Sequence, residues 1–357
     1  MKFIHIADVH FDVPFTSLAG RENLSDIRRL EQRKIFKKVI NYIKENSVDY
    51  LFIAGDLYEH EYVKKSTIIY INDLFKEIPN TKIFISPGNH DPYTKNSYYA
   101  NFTFEPNVYI FNGSFERKEL DDCNIYGMGF TDFYCDSVNL NNIHKINNGK
   151  PNILIMHADL NGGNSENQQY NPVLESSLKA LEMDYVALGH IHKLYYNEKE
   201  KQRIIYPGSL NSLGFDELGE HGMIVGKIEN KNIKTEFVKL DETEFTEIEQ
   251  AVDNFNSKED LIEYINEKKY DNDKLYKIIL TGKRNFDINC REILSLITVK
   301  NVLKIKDLTK FEINLDEIKK ENTLRGLFVK EALEKLDESM YTKEEIEKAI
   351  EIGLSNM

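Results

Sequence analysis

Residues 186–193 read VALGHIHK: an apolar run, a glycine, then two histidines separated by a single isoleucine. The β-branched and apolar content of YVALG (185–189) predicts a buried strand. Side chains two apart on an extended chain point to the same side, and two residues span about 6.6 Å at about 3.3 Å per residue. Paired catalytic metals sit about 3.5–4 Å apart, so His190 and His192 can each serve an ion of their own.

Four further stretches end in the same way. Predicted strands KFIHIA (2–7), YLFIAG (50–55), KIFISPG (82–88) and NILIMH (152–157) run into IADVHFD with Asp8 and His10, AGDLYEH with Asp56, SPGNHD with Asn89, His90 and Asp91, and MHAD with His157. Six of the nine histidines fall in these clusters. In open α/β sheets ligands bind beyond the carboxyl ends of the strands, so all five clusters should converge on one place. Imidazole, carboxylate and carboxamide oxygen without cysteine suit manganese, iron or zinc in a hydrolytic site rather than a structural zinc. Asp56 can bridge two ions with its two oxygens, which leaves Asp8 and His10 for one metal and Asn89 and His157 for the other.

Helical patterns near 31–47, 65–78 and 172–183 alternate with the strands, which predicts an α/β core. Strands near 203–207, 221–228 and 235–240 lack long helices between them, so that part of the sheet is expected to be antiparallel or mixed. The Asn/Gly/Gln-rich stretch 160–172 reads as a loop. With 357 residues, 41% hydrophobic and 29% charged, the chain can bury a full core and has room for more than one domain. The N-terminus carries His5, Asp8 and His10 within its apolar stretch, unlike a signal peptide, and no run approaches membrane-spanning length, so a cytoplasmic protein with no membrane partner is expected. Three cysteines, Cys123, Cys135 and Cys290, share no metal-like spacing and are too few for a disulfide framework. The net charge of −13 argues against a bare nucleic-acid binder. From Asp241 onward, however, 27 acidic residues face 19 basic ones, against 32 and 27 before it, so a nucleic-acid site belongs to the first part.

Taken in order, D-x-H, G-D-x, G-N-H-D, a lone His after a strand and G-H-x-H resemble the calcineurin-like metallophosphoesterase superfamily. Within it, ADVHFDVPF, AGDLYEHE, GNHDP and GHIHK…YPGSL are similar to the SbcD-type DNA repair exonucleases, particularly their YhaO-like bacterial branch. The resemblance covers residues 1 to about 240 strongly and the rest weakly. It implies a sandwich of mixed sheets flanked by helices over 1–240, a smaller α+β capping domain over 241–314, and a C-terminal helical segment over 315–357. It also implies two divalent ions, manganese first with iron or zinc as alternatives. Asp8, His10, Asp56 and His192 would hold one ion, and Asp56, Asn89, His157 and His190 the other. His90 would face the scissile phosphate instead of a metal. The implied partners are DNA and an SbcC-like, SMC-type ATPase, with a homodimer left open.

The superfamily also contains protein phosphatases and nucleotide phosphodiesterases, so ligands alone do not select a substrate. Ser/Thr protein phosphatases follow GD with x-x-D-R-G and carry G-N-H-E; GDLYEHE and GNHD depart from both. Metal-activated hydrolysis of DNA phosphodiesters is the expectation. The alternatives are a small-molecule nucleotide phosphodiesterase and a non-catalytic scaffold for an ATPase partner. Asp91 is expected to brace the GNHD turn, His60 to lie either on the surface or against substrate, and His5, His144 and His221 to be structural or exposed.

Beyond 241 the sequence predicts helices over 257–268, with Ser257 as N-cap, and 288–297, strands over 275–283 and 301–313, and two charged amphipathic helices over 328–353. Thr342 opens the second of these with a T-x-x-E capping box.

Overall fold

The computed structural model describes residues 1–15, 24–136, 138–160, 170–200, 202–229, 232–311, 315–337 and 341–355. They divide into two compact units, Met1–Glu244 and Phe245–Met357.

The first unit is built on two mixed sheets. One runs in the order Asn232–Lys239, Gly222–Glu229, Lys2–Ile6, Tyr50–Ile53, Lys82–Ile85, Val108–Ile110. Its last four strands are parallel, and the antiparallel pair Gly222–Glu229 and Asn232–Lys239 adds antiparallel on the free side of Lys2–Ile6. The other has the order Ile204–Ile205, Tyr185–Gly189, Asn152–His157, Asn124–Gly127, Glu116–Glu119, parallel except at its last pair. Strand alternation sorts the core into layers. Phe3, Tyr50, Phe52 and Phe84 pack on Ile153, Ile155, Tyr185 and Ala187 between the sheets. Their neighbours Ile4, Ile6, Leu51, Ile53, Ile83 and Ile85 face helices Leu24–Asn46 and Lys65–Lys76. On the far side Leu154, Met156, Val186 and Leu188 pack with Leu178 of the helix Glu175–Ala180. Each fully buried aromatic or aliphatic side chain contributes about 1.5–3 kcal/mol of transfer free energy. This is the expected sandwich of mixed sheets flanked by helices.

Two helices differ from their sequence patterns. Leu24–Asn46 begins a turn or more before residue 31 because Arg28 and Gln32 lie on its buried face. Gln32 Nε2 donates to the carbonyls of Val9 and His10 at 2.8 and 3.0 Å, so a polar residue holds a turn from a position where periodicity anticipates an apolar one. The helix expected over 172–183 is shorter, because Pro172–Val173 pairs as a strand with Asp159–Leu160. Residues 161–169, the centre of the expected loop, lie outside the described residues.

In the second unit a three-stranded sheet, Glu244–Ala251, Lys274–Thr281 and Val302–Asp307, packs with helices Lys258–Glu267 and Cys290–Leu296. Ser257 Oγ accepts the N–H of Asp260 at 3.1 Å as N-cap. The strand expected over 301–313 breaks after Asp307, whose Oδ1 takes the N–H and hydroxyl of Thr309, and resumes as Lys310–Phe311. Helices Leu324–Asp337 and Lys343–Ser355 share a small core with Ile318, Val329, Ile346 and Ile350. The capping box is formed: Thr342 N–H donates to Glu345 Oε2 at 2.7 Å, and Glu345 N–H to Thr342 Oγ1 at 3.3 Å. Among the described residues no helix is long and apolar enough to cross a membrane.

Candidate metal centre

Every cluster singled out in the sequence lies at the carboxyl end of its strand. Lys2–Ile6, Tyr50–Ile53 and Lys82–Ile85 of the first sheet deliver Asp8 and His10, Asp56, and Asn89 and His90; Asn152–His157 and Tyr185–Gly189 of the second deliver His157, His190 and His192. At these ends the backbone is forced out of the extended region: φ is 51° at Asp8, 52° at His10, 54° at Asp56 and 109° at His190. Left-handed conformations in non-glycine residues cost about 1–3 kcal/mol each and persist only where surrounding structure imposes them. Here Asp8 N–H bonds to the Gly55 carbonyl at 3.1 Å and His10 N–H to that of Asp56 at 2.9 Å, tying the two turns together. The glycines of the motifs make room for the side chains. A Cβ on Gly55 would lie 2.3 Å from His157 Nδ1, and one on Gly88 2.2 Å from Asp56 Oδ1.

Among the described residues three triads of His, Asp, Glu or Cys have donor atoms within 4.8 Å of one another: Asp8–His10–His192, Asp8–Asp56–His157 and His10–Asp56–His90. Asp56 Oδ2 lies 3.3 Å from His157 Nε2 and 3.7 Å from His10 Nε2. Asn89 Oδ1 lies 3.0 Å from His157 Nε2. His190 belongs to no triad; its ring stands 5.2 Å from that of His157, and its N–H donates to both Asp8 oxygens at 3.0 and 3.1 Å.

Hydrogen bonds on the outer ring nitrogens decide which lone pairs point inward. His157 Nδ1 donates to the Ala54 carbonyl at 2.9 Å, leaving Nε2 to face two oxygens. His10 Nδ1 donates to Glu59 Oε1 at 2.7 Å and His192 Nδ1 to Glu217 Oε1 at 2.5 Å, so two Nε2 lone pairs meet at 3.0 Å. That contact holds only with a proton or a cation between the two nitrogens. Burial pulls His157 and His192 down, but the Asp56 carboxylate beside His157 and Glu217 against His192 outweigh it and push both up to about 9. Burial likewise opposes ionisation of Asp56, yet the imidazoles of His157, His10 and His90 hold its carboxyl well below the usual range. A cation entering the centre takes the place of these protons, so the donor set fits divalent metal.

Three supporting residues were not singled out from the sequence. Glu59 holds His10 with one oxygen and His90 Nδ1 with the other, at 2.9 Å. Glu217 also accepts from Ser209 Oγ at 2.9 Å and from the Leu213 N–H at 3.0 Å. Gln32 anchors the D-x-H turn as described above. No short-range spacing ties any of them to the centre, since the histidines and the turn they hold lie 22 to 49 residues away in the chain. Asp91 is buried and accepts the N–H groups of Asp56, Leu57 and Gly88 at 3.1, 2.7 and 2.6 Å and the Tyr99 hydroxyl at 2.6 Å, so it braces the turns that carry Asp56 and Asn89. His5 and His221 are buried and hydrogen-bonded, and His144 is exposed.

The profile of the family described as calcineurin-like phosphoesterase matches residues 1–194, more than half of the chain. The chain belongs to this family. Its members are metal-dependent phosphoesterases, which accords with the grouping of imidazoles and carboxylates in these triads. A curated relative, the uncharacterized metallophosphoesterase YhaO of Bacillus subtilis (strain 168), is 25% identical over 246 residues, covering 66% of this chain. The match spans 60% of that relative's length. Similar solved structures include TT1561 of Thermus thermophilus, 10% identical with a TM-score of 0.35 over 66% of this chain and 98% of that one. A conserved uncharacterized protein of Streptococcus pneumoniae TIGR4, a predicted phosphoesterase, is 16% identical with a TM-score of 0.31 over 67% and 90%.

Proposed function

We propose that the protein is a two-metal phosphodiesterase that hydrolyses DNA. The observation that carries this reading is the place of Asp56, a carboxylate shared by two of the three donor triads and flanked by imidazole nitrogens at 3.3 and 3.7 Å. In this reading Asp8, His10, Asp56 and His192 hold one ion, and Asp56, Asn89, His157 and His190 the other. Bound divalent cations supply Lewis acidity toward a phosphoryl oxygen and make water a nucleophile near neutral pH. The chain does the rest. Asp8, buried and held by the His190 N–H, and Asp56, held by the His90 N–H at 2.8 Å, fix the carboxylates. Glu59 draws the Nδ1 proton of His90 toward itself, which aims Nε2 away from it. Burial lowers the affinity of that imidazole for its proton, but Glu59 and Asp56 overcome this and push it up to about 9, so it carries a proton to give to a departing sugar oxygen.

DNA is favoured over a phosphoprotein by the departures GDLYEHE and GNHD from the protein-phosphatase pattern, and by the less acidic balance of residues 1–240. Manganese is the ion proposed for this nitrogen- and oxygen-donor set, which also suits iron and zinc. The deciding experiment is digestion of end-labelled single- and double-stranded DNA with manganese, beside a simple aryl phosphodiester. Cleavage of DNA with a minor aryl activity is expected. Turnover of the aryl ester or of nucleotides alone would point to a small-molecule phosphodiesterase instead.

A further inference from the structure

Beside His90 lies a cleft of about 290 Å³ whose walls are aromatic: His60, Tyr62, Phe133, Tyr134 and Tyr170. Two of these rings are open to solvent, Tyr62 at 52% and Tyr134 at 62% exposed. They are also held in place. Residues Cys135 and Tyr170 form a bridge between their two segments, and the rings of Tyr134 and Tyr170 stack at 6.0 Å and 22°. The His60 N–H bonds to the His90 carbonyl at 2.9 Å, and its ring meets Phe133 edge-on at 5.5 Å. Tyr170 in turn stands 5.2 Å from the ring of His190, so the stack continues to the edge of the metal centre.

We propose that this cleft is a nucleobase subsite that stacks the base of a nucleotide whose phosphate lies at His90. The inference rests on the phosphodiesterase reading above and adds to it a preference for unpaired nucleic acid. Three features select the occupant. The near-parallel pair Tyr134–Tyr170 offers a flat face, which suits a planar ring. Glu59 and Glu61 line the same cleft and disfavour a second phosphate there. Glu61 is exposed and offers an acceptor to the N–H groups on the edge of a base. A base in the middle of a duplex has both faces covered by its neighbours and cannot enter. Stacking on aromatic side chains is sequence-tolerant and worth about 5- to 150-fold in affinity per base.

The test uses the full chain loaded with manganese and compares binding of adenosine 5′-monophosphate, ribose 5-phosphate and phosphocholine by calorimetry. These share a phosphate and differ in what the cleft would hold. We expect the adenosine compound to bind about 5- to 150-fold more tightly than ribose 5-phosphate. That ratio should fall toward one in Tyr134→Ala and in Tyr62→Ala, and be kept in Tyr134→Phe. Equal affinities in the wild type, or a ratio that survives both alanine variants, would overturn the proposal. Tighter binding of phosphocholine would do so too, making the cleft a cage for a quaternary cation. Tyr62 and Tyr134 lie on separate segments, so misfolding of one variant leaves the other to decide. Absence of any phosphodiester hydrolysis by the wild type would sink the catalytic reading, while the binding ratio would still decide the subsite.

Discussion

His90 and Asp56 stand within hydrogen-bonding reach of each other's residues and should nonetheless fail differently when replaced. His90→Gln removes the proton donor while leaving the proposed ligands in place. Hydrolysis should slow by about 10²–10⁴-fold with metal content unchanged. Loss of an ion from this variant, read by elemental analysis, would make His90 a ligand. Its membership of a donor triad with His10 and Asp56 makes that a real contest. Asp56→Asn removes the charge shared between the two sites, and both ions should bind more weakly; unchanged occupancy of two ions would refute the bridge. His5 carries a different consequence. Its ring is buried between the sheets, hydrogen-bonded to the Tyr185 hydroxyl at 2.9 Å and the Leu188 carbonyl at 3.2 Å, and burial lowers its pKa to about 3. Above about pH 6.5 the ring is neutral folded or unfolded and costs nothing. Below that the unfolded chain takes up a proton that the folded one refuses, so stability drains by about 1.4 kcal/mol per pH unit until about pH 3. Denaturant melts of wild type and His5→Gln should therefore diverge by that slope on acidification. Parallel curves would mean that His5 is protonated in the fold.

Strand ends are where sequence and structure agree most closely, and the reason is physical. A parallel strand buried on both faces reads as an unbroken apolar run, and its abrupt ending in Asp, Asn or His needs no tertiary information to be noticed. Elements that make their case only through distant partners stayed hidden. Glu116–Glu119, sequence ERKE, is a strand because it pairs with Asn124–Gly127, not because of its own composition. Glu59 and Glu217 look like surface carboxylates until His10, His90 and His192 arrive beside them. Glycine is the element-scale test. Gly55 combines a φ of 93° with a Cβ position against the His157 ring, so Gly55→Ala must push that ring from its place at the strand end. We expect at least a tenfold loss of metal affinity with the fold retained, because displacing a group that orients a ligand costs about 10- to 100-fold. Titration with manganese checks it, and wild-type affinity would show that the turn adapts.

At the scale of the whole molecule, each unit has hydrophobic clusters of its own among the described residues. The cores between and outside the two sheets lie wholly in the first unit, while the second has its own, around Val252, Leu261, Ile278 and Val302. A chain ending at Glu244 should therefore fold, bind metal and turn over an aryl phosphodiester at a rate within about threefold of the full protein, since no residue of the centre lies beyond it. Failure of this fragment to melt cooperatively would show that the units are interdependent. The same separation explains why the second unit was the less legible. Its sequence pattern gave helices and strands, but no cluster of chemistry-bearing residues at their ends from which a role could be read.

One consequence of the centre's construction concerns time rather than space. In the proposed assignment the first sheet contributes Asp8, His10, Asp56 and Asn89, and the second contributes His157, His190 and His192, so neither sheet alone would own a complete site. About a hundred residues separate Asn89 from His192 in the chain. At about 5–20 residues per second, a growing polypeptide spends some seconds with four donors and no counterpart. Metal can be captured in its final coordination only after the second sheet has docked on the first. Under that assignment loading is a late event in the protein's synthesis, and a bound ion would report that the sandwich has closed.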